Sequence, residues 1–197
     1  MRRLIDIPLL ICDFDGTLAS LRVDWPSLKR RLAGVVQAMG GVWDDASGLD
    51  ANLRRLRDEH GEPVFQRLCG MVAEAEVSGF DPATVHPGLR AILRARGGRP
   101  LAVVSANTRR ALLEIFTHPV WPVYRPCVIG KEDVRRGKPD PEGLLRACRW
   151  FGIAPSRALY VGDAPGDRLA AETAGMVFMD VRFLETVAKV AGKGQAA

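Results

Sequence analysis

Apolar positions along this chain follow two rhythms, short continuous runs and stripes at helical spacing, and the order of the two predicts the architecture. The run that begins at Leu9 has Pro8 before it and Gly16 after it, the pattern of a strand buried on both faces. From Ala19 to His86 such runs vanish and helical spacing takes over. Leu28, Leu32, Val35, Val36 and Met39 form one stripe after Pro26-Ser27. Leu49, Leu53 and Leu56 form a second, and Val64, Phe65, Leu68, Met71, Val72 and Ala75 a third. Gly40-Gly41, Gly61 and Gly79 punctuate the joints. Beyond His86-Pro87-Gly88 the pattern alternates: helix over 89–96, strand over 101–105, helix over 109–116, strand over 127–130 and helix over 141–151. A strand over 158–161, a helix over 167–174, a strand over 176–181 and a helix over 183–190 complete it.

Strands alternating with helices predict an α/β fold with a doubly wound parallel sheet, its crossovers right-handed. The expected division is a core domain over 1–18 and 87–197 with a small α-helical cap domain, 19–86, inserted after the first strand. The apolar stripes of the insert read as its core, since each has the width of one buried helix face.

The first strand ends on Asp13 and Asp15. Side chains two apart on a strand share a direction, here out of the carboxyl end, where open α/β sheets bind ligands. Two converging carboxylates repel, which raises the pKa of one and favours a cation. One can attack as a nucleophile while the other carries a proton. Gly16 lets the chain turn sharply and Thr17 offers a hydroxyl to the same pocket. Further clusters follow later strands or open helices. Ser105-Ala106-Asn107 has a hydroxyl and an amide suited to phosphate oxygens. Gly137-Lys138-Pro139-Asp140-Pro141 sets a lysine among rigid turn residues, a point charge for a phosphoryl group or for repelling acids. Asp163 and Asp167 add carboxylates, and the resulting all-oxygen set of Asp13, Asp15, Asp163 and Asp167 favours Mg²⁺.

Composition narrows the partners. The net charge of +5 and pI of 9.3 invite a nucleic-acid reading, but the arginines are scattered and not gathered into a stripe, so nucleic acid is not expected. No apolar run is long enough for a membrane span, and the N-terminus lacks the features of a signal peptide. Cys12, Cys69, Cys127 and Cys148 are widely spaced, without a C-x-x-C pair, and read as buried reduced thiols, which points to the cytoplasm. His60, His86 and His118 lack metal-ligand spacing. Neither a P-loop nor a G-x-S-x-G elbow is present.

Together these clusters resemble the haloacid dehalogenase-like hydrolase superfamily, in the branch of phosphoglycolate phosphatase and β-phosphoglucomutase that carries a helical cap. Asp13 and Asp15 match the family's Asp-x-Asp-Gly-Thr, Ser105 its second motif, Lys138 its third, and Asp163 and Asp167 its closing acids. The resemblance implies a Mg²⁺-dependent phosphatase acting on a small phosphorylated metabolite through an aspartyl-phosphate on Asp13, with Asp15 as acid and base. It implies a metal held by Asp13, the backbone carbonyl of Asp15 and Asp163, with Asp167 ligating or orienting. Ser105, Lys138 and backbone amides would bind the transferring phosphoryl group, with Thr17, Ala106 and Asn107 beside them. A phosphotransferase or phosphomutase with the same core residues, and a non-catalytic binding platform, remain as alternatives. The cap is expected to supply substrate contacts, with Arg22, Trp25 and Arg30 as candidates, and the protein is expected to be a monomer or homodimer.

Overall fold

The computed structural model describes residues 2–122 and 126–184. From residue 185 on, the helix expected over 183–190 and the tail after Val190 lie outside the described residues. A short α1 (Arg2–Ile5) leads into β1 (Leu9–Cys12). Then come α2 (Trp25–Ala38), α3 (Leu49–His60) and α4 (Glu62–Ser78). The alternating part is α5 (Pro87–Arg96), β2 (Leu101–Val104), α6 (Arg109–Ile115), β3 (Cys127–Ile129), α7 (Glu142–Phe151), β4 (Ala158–Gly162), α8 (Pro165–Thr173) and β5 (Val177–Asp180).

The strands form one five-stranded parallel sheet in the order β3-β2-β1-β4-β5, so β1 is central. Its alternating side chains feed two separate cores, as a strand covered on both faces requires. Leu10 and Cys12 face one way with Leu101, Val103, Leu159 and Val161, against Leu89, Ile92 and Leu93 of α5 and Leu112 and Ile115 of α6. Leu9 and Ile11 face the other way with Ala102, Val104 and Tyr160, against Leu144 and Ala147 of α7 and Ala170 and Ala171 of α8. The α/β, doubly wound expectation is met. Among the described residues no helix is long and apolar enough to cross a membrane. All four cysteines are free, three buried and Cys127 half-buried.

Helices α2, α3 and α4 share their own apolar cluster, built on Leu28, Leu32, Leu53, Leu56, Phe65, Leu68 and Val72. The chain leaves the sheet and returns through a narrow neck. Leu21 pairs antiparallel with Phe80, Arg22 N–H donates to Gly79 O at 2.8 Å, and His86 N–H donates to Leu18 O at 2.9 Å. A side chain at Gly79 would meet Val23 at 2.8 Å, so only glycine lets the two strands of the neck close. Helix α4 also turns Ala73 and Val77 toward the core beside α6.

Two helices start earlier than their apolar stripes suggest. At α5 the His86 side chain caps the first turn through Leu89 N–H at 3.2 Å. At α8 the Asp167 carboxylate closes the first turn from inside, by accepting backbone N–H bonds from Asp163 and Ala164.

Arg96 holds β1 beside β2. It is 4% exposed, and its guanidinium donates to the carbonyls of Leu4, Ile5 and Ile7 at 3.0 Å and of Pro100 at 2.9 Å. Methionine in its place keeps the apolar stem but takes this donor away from the half-buried carbonyls of Leu4, Ile5 and Ile7. Arg96→Met should lower stability by about 2–4 kcal/mol, read as a reduced urea midpoint with an unchanged m-value.

Candidate active site

The site is assembled where β1, β2 and β4 end. Asp13 N–H donates to Val161 O at 2.9 Å, which extends the ladder one residue past β1. The chain then coils tightly: Phe14 O accepts from the N–H groups of Thr17, Leu18 and Ala19 at 3.1, 2.8 and 3.1 Å. Gly16 lies inside this coil at φ +80°, and a Cβ there would stand 2.6 Å from Asp163 Oδ2. Both conformation and space therefore demand glycine. Gly162 is under a similar constraint, since a Cβ would stand 2.6 Å from Asp167.

Lys138, from the loop between β3 and α7, reaches into these ends. Its Nζ is 2.8 Å from Asp13 Oδ1 and 2.5 Å from Asp167 Oδ1. Burial alone would lower the lysine, but the two carboxylates outweigh it and hold the ammonium above its ordinary value. Around Asp13, burial favours the neutral acid while Lys138 favours the ion. At 2.8 Å the ion pair is the form the contact supports. Tyr160 completes the arrangement. Its hydroxyl accepts from Lys138 at 3.1 Å and donates to Asp167 Oδ1 at 2.8 Å. Burial, with Asp13 and Asp167 nearby, raises the Tyr160 phenol well above its usual value and keeps it a neutral donor.

Carboxylate oxygens of Asp13, Asp163 and Asp167 lie within 4.8 Å of one another. They differ in what remains free. Asp167 is 1% exposed, and its two oxygens accept from Lys138, Tyr160 and the two backbone N–H groups of its own helix start. Its lone pairs are taken up by these contacts. Asp163 gives one oxygen to the Thr17 hydroxyl at 3.0 Å and keeps the other. Asp13 Oδ1 is buried without an aligned hydrogen bond. This donor set, all oxygen with open lone pairs on Asp13 and Asp163, fits a hard divalent cation.

Asp15 points elsewhere. It is half-buried and accepts from Leu21 N–H at 2.9 Å. Burial raises its carboxyl above the ordinary value, Leu21 opposes this, and Asp163 adds to it. Asp15's carboxylate is thus outside the acid cluster and more inclined than a free aspartate to carry a proton. Thr17, expected to face the pocket, is instead buried and committed to Asp163.

A cleft of about 650 Å³ opens over Asp13 and Asp15. Ser105, Ala106 and Asn107 lie on its floor, and Trp25, Lys29 and Arg54 on its helical side. Of the candidate contacts in the insert, Trp25 lines the cleft. Arg22 is exposed and pairs with Asp81 at 2.9 Å, and Arg30 is exposed on α2. Sequence reasoning passed over Tyr160, Glu76, Lys131 and Asp50. Lys131 Nζ lies 2.9 Å from Asp50 Oδ1, joining the end of β3 to the first turn of α3. A lysine directly after a strand's terminal glycine was the available signal for it. Tyr160 was hidden inside an apolar run.

The sheet and site define an α/β protein with a lysine-clamped carboxylate centre at the carboxyl ends of its strands. The chain belongs to the haloacid dehalogenase-like hydrolases, a family it matches over residues 7–175. It is 49% identical over 186 residues to validoxylamine A 7'-phosphate phosphatase of Streptomyces hygroscopicus subsp. limoneus, covering 83% of this chain and 80% of that protein. It is 28% identical over 181 residues to phosphoglycolate phosphatase 1 of Pseudomonas aeruginosa, covering 85% of this chain but 66% of that relative. The chain thus spans slightly less than two thirds of that phosphatase's length. Similar solved structures include a haloacid dehalogenase-like hydrolase from Bacteroides fragilis (TM-score 0.61, 24% identity, 88% and 86% of the two chains). CbbY from Rhodobacter sphaeroides, in complex with phosphate, is another (TM-score 0.58, 23% identity, 88% and 85%). These two share the fold.

Removing the lysine would leave Asp13 and Asp167 facing each other in a buried space. Lys138→Met should cost about 3–5 kcal/mol at neutral pH. The lysine's folded value lies above its ordinary 10.5, so its contribution is complete below 10.5 and is lost as pH climbs through the raised value. The Tm gap between wild type and Lys138→Met should therefore hold steady from neutral pH to about 10 and narrow above that, as thermal melts across pH would show.

Proposed function

We propose that this protein is a Mg²⁺-dependent phosphatase that hydrolyses a small phosphate monoester through an aspartyl-phosphate. The observation that carries this reading is Asp13: a buried carboxylate whose Oδ1 is paired with Lys138 at 2.8 Å, in a residue that lines the open cleft and whose second oxygen is left for attack. That oxygen forms the new bond to phosphorus as the ester P–O bond breaks. Asp15 gives its proton to the leaving alcohol, then takes one from the water that attacks the aspartyl-phosphate and releases orthophosphate. Lys138 and Ser105 bind the oxygens of the transferring group, with backbone amides after Asp13. Asp13, the Asp15 carbonyl and Asp163 would hold the Mg²⁺, and Asp167 fixes both Lys138 and the turn that carries Asp163. The metal would neutralise charge on the phosphoryl oxygens.

The segment 19–86 acts as a cap in this reading. It supplies the cleft's helical wall, and Trp25, Lys29 and Arg54 are its candidates for contact with the leaving group. A relative whose name gives validoxylamine A 7'-phosphate as its substrate, at 49% identity, supports a small phosphate ester. Four free cysteines suit a reducing compartment, and we place the protein in the cytoplasm.

Asp13→Asn should lower phosphate release by at least about 10³-fold while the melting temperature stays close to wild type. A variant that kept near-normal turnover would remove Asp13 from the mechanism. Exhaustive dialysis against EDTA should abolish phosphate release, Mg²⁺ or Mn²⁺ should restore it, and Ca²⁺ should not. Trp25→Ala should lower kcat/KM for the best metabolite ester more than for p-nitrophenyl phosphate, by about tenfold. Equal loss on both would place Trp25 outside recognition.

A further inference from the structure

Glu76, on α4, has no part in the chemistry described so far, yet it is wholly buried and bonded to the phosphate-binding loop. Its Oε1 accepts from Asn107 Nδ2 at 3.0 Å. Its Oε2 accepts from Thr108 N–H at 2.9 Å and from the Thr108 hydroxyl at 2.5 Å. A carboxylate can only accept, so Asn107 must turn its NH₂ toward Glu76 and its carbonyl oxygen toward Ser105. The Ser105 hydroxyl, which has one proton, then donates it to Asn107 Oδ1 at 2.8 Å. Ser105 also stands close enough to Asp13 to favour its ionised form. Asp13 Oδ1 has no aligned hydrogen bond and pairs with the Lys138 ammonium at 2.8 Å.

We propose that Glu76 is a positioning residue: by fixing the Asn107 amide it commits the Ser105 proton to Asn107 and leaves the Asp13 carboxylate to its pairing with Lys138. The inference rests on the phosphatase reading above. A hydroxyl committed to a neutral amide carbonyl is readily captured by the charged oxygens of an incoming phosphoryl group. The same hydroxyl committed to the Asp13 carboxylate is not, and a carboxylate oxygen that accepts such a bond is a poorer nucleophile. Glu76 thus serves both partners of the first step from a helix outside the sheet.

The test exchanges acceptor and donor. In Glu76→Gln the side chain offers one oxygen and one NH₂, so Asn107 is free to turn over and release the Ser105 proton to Asp13. In Asn107→Asp two carboxylates face each other. In the double variant Glu76→Gln/Asn107→Asp the donors and acceptors match again. The amide introduced on α4 donates to the carboxylate introduced in the loop and accepts from Thr108, while that carboxylate accepts from Ser105. Each single variant should lose about tenfold in kcat on p-nitrophenyl phosphate and on a metabolite ester alike, with KM changed less, and the double should recover most of it. A purely structural role would lower stability in all three without that recovery. Calorimetric binding of inorganic orthophosphate in Mg²⁺ gives a readout without turnover, and Glu76→Gln should weaken it about fivefold or more. A folded Glu76→Gln with wild-type kcat, or a double variant no better than the worse single, overturns the proposal. If Glu76→Gln does not fold, Asn107→Asp and the double decide by the same comparison. If wild type releases no phosphate from any ester, the phosphatase reading fails by itself. The binding arm still decides Glu76, because equal orthophosphate affinity in wild type and variant overturns its role.

Discussion

The Lys138 ammonium stands between Asp13 and Asp167, and the shape of the strand ends depends on it. Oxygens of Asp13, Asp163 and Asp167 approach within 4.8 Å, which like charges in a buried place resist. The lysine makes that approach tolerable from the loop after β3, while Asp13 follows the central strand and Asp167 opens the helix after β4. The parallel order β3-β2-β1-β4 is what brings these three segments to one edge. Tyr160 adds a neutral donor to Asp167 from within β4, so the clamp is fastened to the sheet itself. In the proposed reaction, catalysis and stability draw on the same contact: a group that quiets repulsion in the resting protein also faces the place where phosphoryl charge would gather.

The helical segment is joined to this centre by two kinds of contact. Lys131 and Asp50 form an ion pair at the cleft, with side chains 9% and 33% exposed. Glu76 makes a wholly buried set of hydrogen bonds to Asn107 and Thr108. Helix α4, with Ala73 and Val77 packed beside α6, is therefore bound more firmly to the core than α2, whose buried residues belong to the helical cluster.

Much of the fold was legible in the chain because buried parallel strands read as unbroken apolar runs, and these were bounded by Gly and Pro. The acids, Ser105 and Lys138 could be singled out because each follows a strand or opens a helix in a short polar cluster. The residues that were missed share a physical reason. Tyr160 is mostly apolar surface and behaves as a core residue in a strand, so its hydroxyl leaves no mark in the pattern. Glu76 sits in a helix among exposed acids, and its burial arises only when α4 meets α6. Thr17 looked like a pocket residue because local spacing shows where a chain turns but not which distant group, here Asp163, a hydroxyl will find. Helix starts were misjudged at α8 because the side chain that closes its first turn, Asp167, lies inside the helix and not before it.

The neck between Leu18 and His86 has a consequence for how such a protein can change. Its two strands are hydrogen-bonded to each other at the point of departure, so the sheet meets the insert as a closed loop whose ends are already joined. The length of what lies beyond the neck places little demand on β1, since closing a longer loop costs only slightly more. A different set of helices could be exchanged at this joint without disturbing the strands, and the roof of the cleft would change with them. The exchange is free at one end only: a replacement for α4 must bring an acceptor to the place Glu76 now occupies, or leave Asn107 and Thr108 with buried donors and nothing to receive them.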